Sequence, residues 1–152
     1  MSTAPGWIAE PSIVSPVIRR CAFAAYVERA AGPETAGFLI LRRTDDALVG
    51  RATLSQIFRG VFLNAYLGYE AMAGYEGRGY LTEGIRLVVG HAFGPLGLHR
   101  VEANVQPSNA RSLALVRRLG FRREGFSPRY LYIAGDWRDH ERWALLADEV
   151  DR

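Results

Sequence analysis

Lysine is absent from the 152 residues, and all 19 positive charges are arginine. A Walker A phosphate loop needs Gly-Lys-Ser/Thr, so that nucleotide motif is excluded. Cysteine is nearly absent as well. Cys21 stands alone, which excludes an internal disulfide and any multi-cysteine zinc site. No apolar run approaches the ~20 residues of a membrane span. The opening MSTAPGWIAEPS has neither a basic stretch nor an apolar core, so it does not read as a signal peptide. The expected setting is cytoplasmic, without a membrane partner.

What remains is an ordinary soluble composition, 49% hydrophobic and 23% charged, on a chain long enough to bury a core. Residues 1–152 are expected to form one domain, since no repeat, low-complexity tract or linker divides them. The sequence is mildly basic, with a net charge of +3. Arg111, Arg117, Arg118, Arg122 and Arg123 crowd one short stretch. They form either a solvated helix face or an electropositive patch for an anionic ligand.

Local signals predict the elements. Residues 1–16 carry Pro5, Pro11 and Pro16 and are expected to be extended or poorly ordered. SPVIRRCAFAAYVERAAG predicts a helix capped by Ser15, with Pro16 in its first turn and Gly32 as its stop. GFLILRRTDDALVGRATLSQIF reads as two strands joined at Asp45-Asp46, and VFLNAYLGYEAM as a third. HRVEANVQ is a fourth strand, with Glu102 and Asn104 on one face. Pro107-Ser108-Asn109 opens a helix with Ala110, Leu113, Val116 and Leu119 inward and Gly120 as its stop. The last segment reads as strands turning at Gly135-Asp136. Strand, turn, helix, strand is an α/β order with a parallel pair at its centre.

The stretch GYEGRGYLTEGIRLVVGHAF joins a glycine cluster to a helix whose Leu81, Ile85, Val88 and Ala92 share one face. A glycine-led helix N-terminus suits an anion, because the backbone can approach closely and the first N–H groups lack intrahelical partners. A dinucleotide fingerprint fits Gly77 and Gly79, and Glu102 lies near the expected offset, but Thr82 stands where the third glycine belongs.

EGRGYL, Glu76–Leu81, resembles the Gln/Arg-x-x-Gly-x-Gly/Ala signature of the GNAT acyltransferase superfamily. YLGYEAMAGYEGRGYLTEGI, LGLHRVEANVQPSNARSLALVRRLGFRREG and RYLYIAGDWRDH resemble its RimJ/RimL branch, the ribosomal-protein-alanine N-acetyltransferases and their relatives. The resemblance runs in order from about Gly37 to Leu146. It implies a mixed, mostly antiparallel sheet with a V-shaped splay between the Tyr69 and Val101 strands and helices on both faces. It implies acetyl-CoA as co-substrate, with no metal.

Carried onto this chain, the resemblance assigns the pyrophosphate to Glu76, Gly77, Arg78, Gly79, Tyr80 and Leu81. Ala71 and Met72 would flank the acetyl carbonyl. Asn109 and Ser112, in the family's Asn-x-x-Ser, would hold the pantetheine, with Ser112 assisting the departing thiolate. Glu76 and Leu81 both depart from the signature, so the Glu76 side chain is expected to turn aside and leave binding to the backbone. Asn109 also suits a helix N-cap.

The family often places a carboxylate five residues before that asparagine. Asn104 stands there instead and could hold a water. Glu102 and Glu70 could act as base through water, or each could pair with an arginine. His99 and His140 read as structural. Without a strong base, an α-amine is the better acceptor. Neutralising it at pH 7 costs about 1 kcal/mol, against roughly 4.6 for a lysine.

The branch usually opens with a further strand, which this chain is expected to lack. An unpaired sheet edge invites self-association, so a homodimer is an option. The leading expectation is an N-acetyltransferase acting on a protein N-terminus, with a ribosomal protein among the options. A small-amine acetyltransferase, for an antibiotic or a polyamine, is the second reading. A catalytically weak CoA- or nucleoprotein-binding protein is the third. Direct nucleic-acid binding is not expected.

Overall fold

The computed structural model describes residues 21–24 and 33–150. Its elements follow in the order β1 (Cys21–Ala24), β2 (Thr35–Arg42), β3 (Leu48–Phe58), β4 (Asn64–Ala71), α1 (Tyr80–Phe93), β5 (Arg100–Val105), α2 (Ala110–Arg118), β6 (Arg122–Ile133) and β7 (Asp136–Leu146). The strands form one seven-stranded sheet in the order β1-β2-β3-β4-β5-β7-β6. Every neighbouring pair is antiparallel except β4 and β5. No helix among the described residues is long and apolar enough to cross a membrane.

Alternation decides which way each strand faces. Ala52 and Leu54 on β3, Ala65 and Leu67 on β4, and Val101, Ala103 and Val105 on β5 are all buried and share the face under the helices. The expected turn at Asp45-Asp46 is present. Asp46 takes a positive φ of 55°, and Asp45 accepts from the Ala47 N–H and pairs with Arg42 at 2.6 Å. The last hairpin turns between Ile133 and Asp136, at Ala134-Gly135.

Helix α1 buries Ile85, Val88, Val89 and Ala92 against the sheet, close to the face expected for it. It approaches unusually closely because Gly84 sits directly over Ile40 of β2. His91 meets Phe38 edge-on, with ring centroids 5.5 Å apart. Helix α2 buries Leu113, Leu115 and Val116, and Arg117 lies over the Trp143 ring of β7. Ala110, expected inward, is exposed, because it is the first residue of the helix and no preceding turn holds it down. Both described helices pack on this one face. The expectation of helices on the second face falls on residues outside the described ones.

One element corrects the sequence reading. The segment 15–32 was expected to be a helix, yet Cys21–Ala24 forms β1, antiparallel to β2 from Cys21↔Arg42 to Ala24↔Leu39. Helix periodicity and caps are local signals, whereas the outer edge of β2 offers a row of backbone donors and acceptors that only another strand can pair. The rest of that segment lies outside the described residues. So do residues 1–16 and the question of a strand before β1.

At Gly84, α1 packs tightly on Ile40 of β2. A Cβ at Gly84 would fall 2.5 Å from Ile40 Cδ1 and 2.8 Å from its Cγ2, and Ile40 is fully buried with nowhere to retreat. Gly84→Ala should therefore destabilise the protein by about 1–3 kcal/mol despite the better helix propensity of alanine. Urea denaturation measures the effect, and an unchanged or raised midpoint would show that α1 can lift off β2 freely.

Candidate active site

Strands β4 and β5 pair for only three residues, Asn64↔Arg100, Ala65↔Val101 and Tyr66↔Glu102. Beyond that they part. β4 continues along β3 to Gly50↔Ala71, while β5 continues along β7 to Val105↔Glu141. Each strand keeps its outer partner, so the inner ladder groups open onto a gap. Met72 donates its N–H to Val49 of β3 at 2.9 Å. By strand alternation the Ala71 N–H points the other way, toward the gap.

The gap leads to the glycine loop. Gly74, Gly77 and Gly79 have φ of 87°, 71° and 83°, in the left-handed region that favours glycine. Gly79 is the N-cap of α1, and no side chain caps this helix. The first-turn N–H groups are therefore presented at the positive end of the helix dipole. Cation–π contacts brace the loop: the Tyr75 ring lies under Arg42 at 5.4 Å and Arg78 at 5.9 Å. The Glu76 carboxylate folds back to accept from the Gly74 N–H at 2.8 Å. Its own N–H and that of Gly74, helped by Arg111 and Arg78, hold its pKa below the usual carboxylate value. The charge that would repel a phosphate is thus turned into the loop.

Across the gap stands α2. The Asn109 side chain accepts from the Ser112 N–H at 3.1 Å, the N-cap geometry expected of it. That cap fixes the first turn and with it the Ser112 hydroxyl, which lies 2.5 Å from the Tyr69 hydroxyl of β4. Burial raises the Tyr69 pKa, and the hydrogen bond to Ser112 opposes the rise. Arg118 donates to Thr82 Oγ1 at 3.2 Å, tying the end of α2 to the first turn of α1.

These parts enclose a cavity of about 460 Å³. Glu70, Ala71, Glu76, Gly77, Gly79 and Leu81 line it, and so do Asn109 and Ser112 from the far side. Met72, Arg78 and Tyr80 flank it without lining it. Glu102 and Asn104 lie elsewhere, on the opposite face of the sheet, beside and just beyond the last β4–β5 pair. Glu70 is ion-paired with Arg51, and Glu102 with Arg100 at 2.9 Å. Arg100 also binds Glu124 of β6, which links to Arg122. Asn104 Oδ1 is buried without a hydrogen-bond partner among the described residues. An orphaned acceptor costs about 1–3 kcal/mol, so this atom suits a water or an amine donor. His140 is buried and bonded to the Arg138 carbonyl, in keeping with a structural part.

Residues 6–122 match the family described as the acetyltransferase (GNAT) domain. The chain belongs to that family. The GNAT chain is 40% identical over 121 residues to the probable N-acetyltransferase YjcK of Bacillus subtilis, covering 80% of this chain and 67% of that protein. It is 39% identical over 102 residues to the ribosomal protein uS5-alanine N-acetyltransferase of Escherichia coli, covering 67% of this chain and 53% of the relative. Among solved structures, Mycobacterium smegmatis RimJ in complex with CoA-disulfide superposes with a TM-score of 0.74 at 34% identity. That match covers 78% of this chain and 56% of RimJ. The GNAT chain thus spans between about half and two thirds of the length of these relatives.

The residues present fit coenzyme A. The glycine-led, uncapped helix start suits a pyrophosphate, and the parted strands offer backbone groups along an extended arm. Tyr69, Tyr75, Thr82, Arg111 and Arg118 also line the cavity, beyond the residues expected from the sequence. The arginine cluster was a signal for the last two; nothing local marks Tyr69, whose partner lies 43 positions away.

The ion network beside the site carries its own prediction. The Arg100 guanidinium, first among the causes, holds the Glu124 pKa at about 2. A carboxylate depressed in the folded state stabilises fully above its unfolded pKa of about 4.3, and that contribution is lost as pH falls toward 2. Glu124→Gln should lower stability at neutral pH and flatten the decline across that acid window. Chemical denaturation at several pH values measures this, and parallel curves for mutant and wild type would refute it.

Proposed function

We propose that this chain transfers an acetyl group from acetyl-CoA to a primary amine, with a protein N-terminal α-amine as the acceptor class. The observation that carries the reading is the continuity of three parts. The β4–β5 gap, the uncapped glycine start of α1 and the Ser112 hydroxyl all open into one cavity. The GNAT membership and the similarity to a ribosomal-protein alanine acetyltransferase support it. A ribosomal target goes with a cytoplasmic location.

Bound acetyl-CoA would supply an acetyl thioester activated toward amines. In this reading Gly77, Arg78, Gly79, Tyr80 and Leu81 offer the pyrophosphate their backbone N–H groups, with Glu76 turned aside and Arg111 and Arg118 adding positive charge. Asn109 and Ser112 hold the pantetheine side. The Ala71 N–H, next to Met72, meets the acetyl oxygen as negative charge develops, in a site where a fixed donor needs no reorganisation. Ser112 donates toward the sulfur. The acceptor amine approaches from the face bearing Glu102 and Asn104, where Asn104 Oδ1 supplies an acceptor for an N–H or a bridging water.

Both candidate carboxylates, Glu70 and Glu102, are engaged by arginines, which favours an acceptor that is easily neutral. An α-amine meets that condition at about 1 kcal/mol, and a lysine at roughly 4.6 does not. Turnover of acetyl-CoA with peptides beginning Ala, Ser or Met, set against small amines and polyamines, tests the reading. Preferential turnover of peptides is expected. Exclusive turnover of a polyamine would replace it with the small-amine reading, and binding without turnover would leave a CoA-binding protein.

Two variants test the assignments. Acetyl-CoA at 100 times its Kd should add about 2.7 kcal/mol to stability, since it binds only the folded state. Gly79→Val should abolish that gain. A Cβ there meets no protein atom within 4 Å, so the side chain would occupy the space before the helix N-terminus. Ser112→Ala should lower kcat about 10- to 150-fold while acetyl-CoA affinity stays within about twofold, because the lost hydrogen bond matters as charge develops on sulfur. Full turnover by Ser112→Ala would remove the hydroxyl from the chemistry.

A further inference from the structure

Ser112 has a difficulty as a proton donor. An alkyl hydroxyl is a far weaker acid than a thiol of pKa about 8.5, so serine alone cannot end the reaction having given its proton to a thiolate. A phenol, at about 10, is much closer. Its hydroxyl is also the better hydrogen-bond donor of the two, and a serine oxygen the better acceptor.

The structure places such a phenol against Ser112. Tyr69 reaches it from β4 with 2.5 Å between the hydroxyl oxygens, across the cavity that both residues line. The Asn109 cap holds the Ser112 backbone, and β4 pairing with β3 holds Tyr69 at Ala52↔Tyr69. Two rigid elements thus set this contact, which therefore does not depend on a mobile loop.

We propose that Tyr69 is a positioning residue and proton source acting through Ser112. Its phenol donates to the Ser112 oxygen and turns the serine proton into the cavity. The inference rests on the amine-acetylation reading above. In the transfer step the carbon–nitrogen bond forms as the carbon–sulfur bond breaks, and the electron pair leaves with sulfur. Ser112 passes its proton to that sulfur and receives the Tyr69 proton. The phenolate left behind is reprotonated from solvent, which takes up the proton lost by the amine, so the balance closes without a further reactant.

The charged and titratable groups that share the cavity are Glu70 on β4, Tyr75 and Glu76 in the glycine loop, and Arg111 and Arg118 on α2. The perturbation at Tyr69 has burial as its first cause and Ser112 as the opposing one. The phenol is protonated at neutral pH, and the hydrogen bond to Ser112 offsets part of the acidity that burial removes.

The experiment joins kinetics to a titration of the unliganded protein. Tyr69→Phe keeps the ring, so the fold is expected to survive. Its kcat should fall by at least about 10-fold, with KM for acetyl-CoA little changed. In a Ser112→Ala background the same change should cost less than about twofold, because the relay is already cut. In the ultraviolet phenolate band, wild type minus Tyr69→Phe isolates one of the seven tyrosines. Its transition should move to higher pH in Ser112→Ala, which removes the hydrogen bond that lowers it. Wild-type turnover by Tyr69→Phe, or an equal loss in both backgrounds, overturns the relay. An unmoved Tyr69 transition overturns the coupling whatever the acceptor proves to be, so its failure is separable from failure of the acetylation reading.

Discussion

The parting of β4 from β5 is the constraint on which the site depends. Two strands run parallel for three residue pairs and then each follows its own antiparallel neighbour, β3 on one side and β7 on the other. A sheet interior normally satisfies every backbone group. Here the divergence leaves the inner edge of β4 facing open space, and an extended ligand can pair there like a strand. The glycine loop and α1 follow directly from the end of β4, and α2 from the end of β5. The helix N-termini are therefore carried to the mouth of the gap by the same two strands that create it.

The sheet also divides the chemistry between its faces. The helix side holds Tyr69, Ser112 and the glycine-led start of α1, which line one cavity. The other side holds Glu102 and Asn104, and its carboxylates are committed to arginines. In a chain without lysine every structural cation is an arginine, whose fork binds two carboxylates at once, as Arg100 does with Glu102 and Glu124. That network knits β5 to β6 across β7.

Much of this was legible in the sequence because the signals were short-ranged. Asn109 caps α2 through Ser112, three residues on; Gly79 opens α1 one residue before it; the Asp45-Asp46 turn closes on its own side chain. The resemblance then supplied the splay and the cofactor class, which spacing alone did not contain. The segment 15–32 failed where local and long-range signals conflict. Its capping residues and apolar spacing suit a helix, but Cys21–Ala24 meets the open edge of β2, and backbone pairing outweighs a propensity difference of a few tenths of a kcal/mol per residue.

From β2 onward the sequence by itself determined the order of strands and helices, the glycine-led start of α1 and the capped serine, because each is settled within a few residues of backbone. Only the tertiary structure decided that Tyr69 meets Ser112, that Glu70 and Glu102 pair with arginines, and that Asn104 faces away from the cavity. Those facts depend on which strands lie side by side and in what register. Alternation within a strand assigns each residue to a face, but not the neighbour that stands beside it.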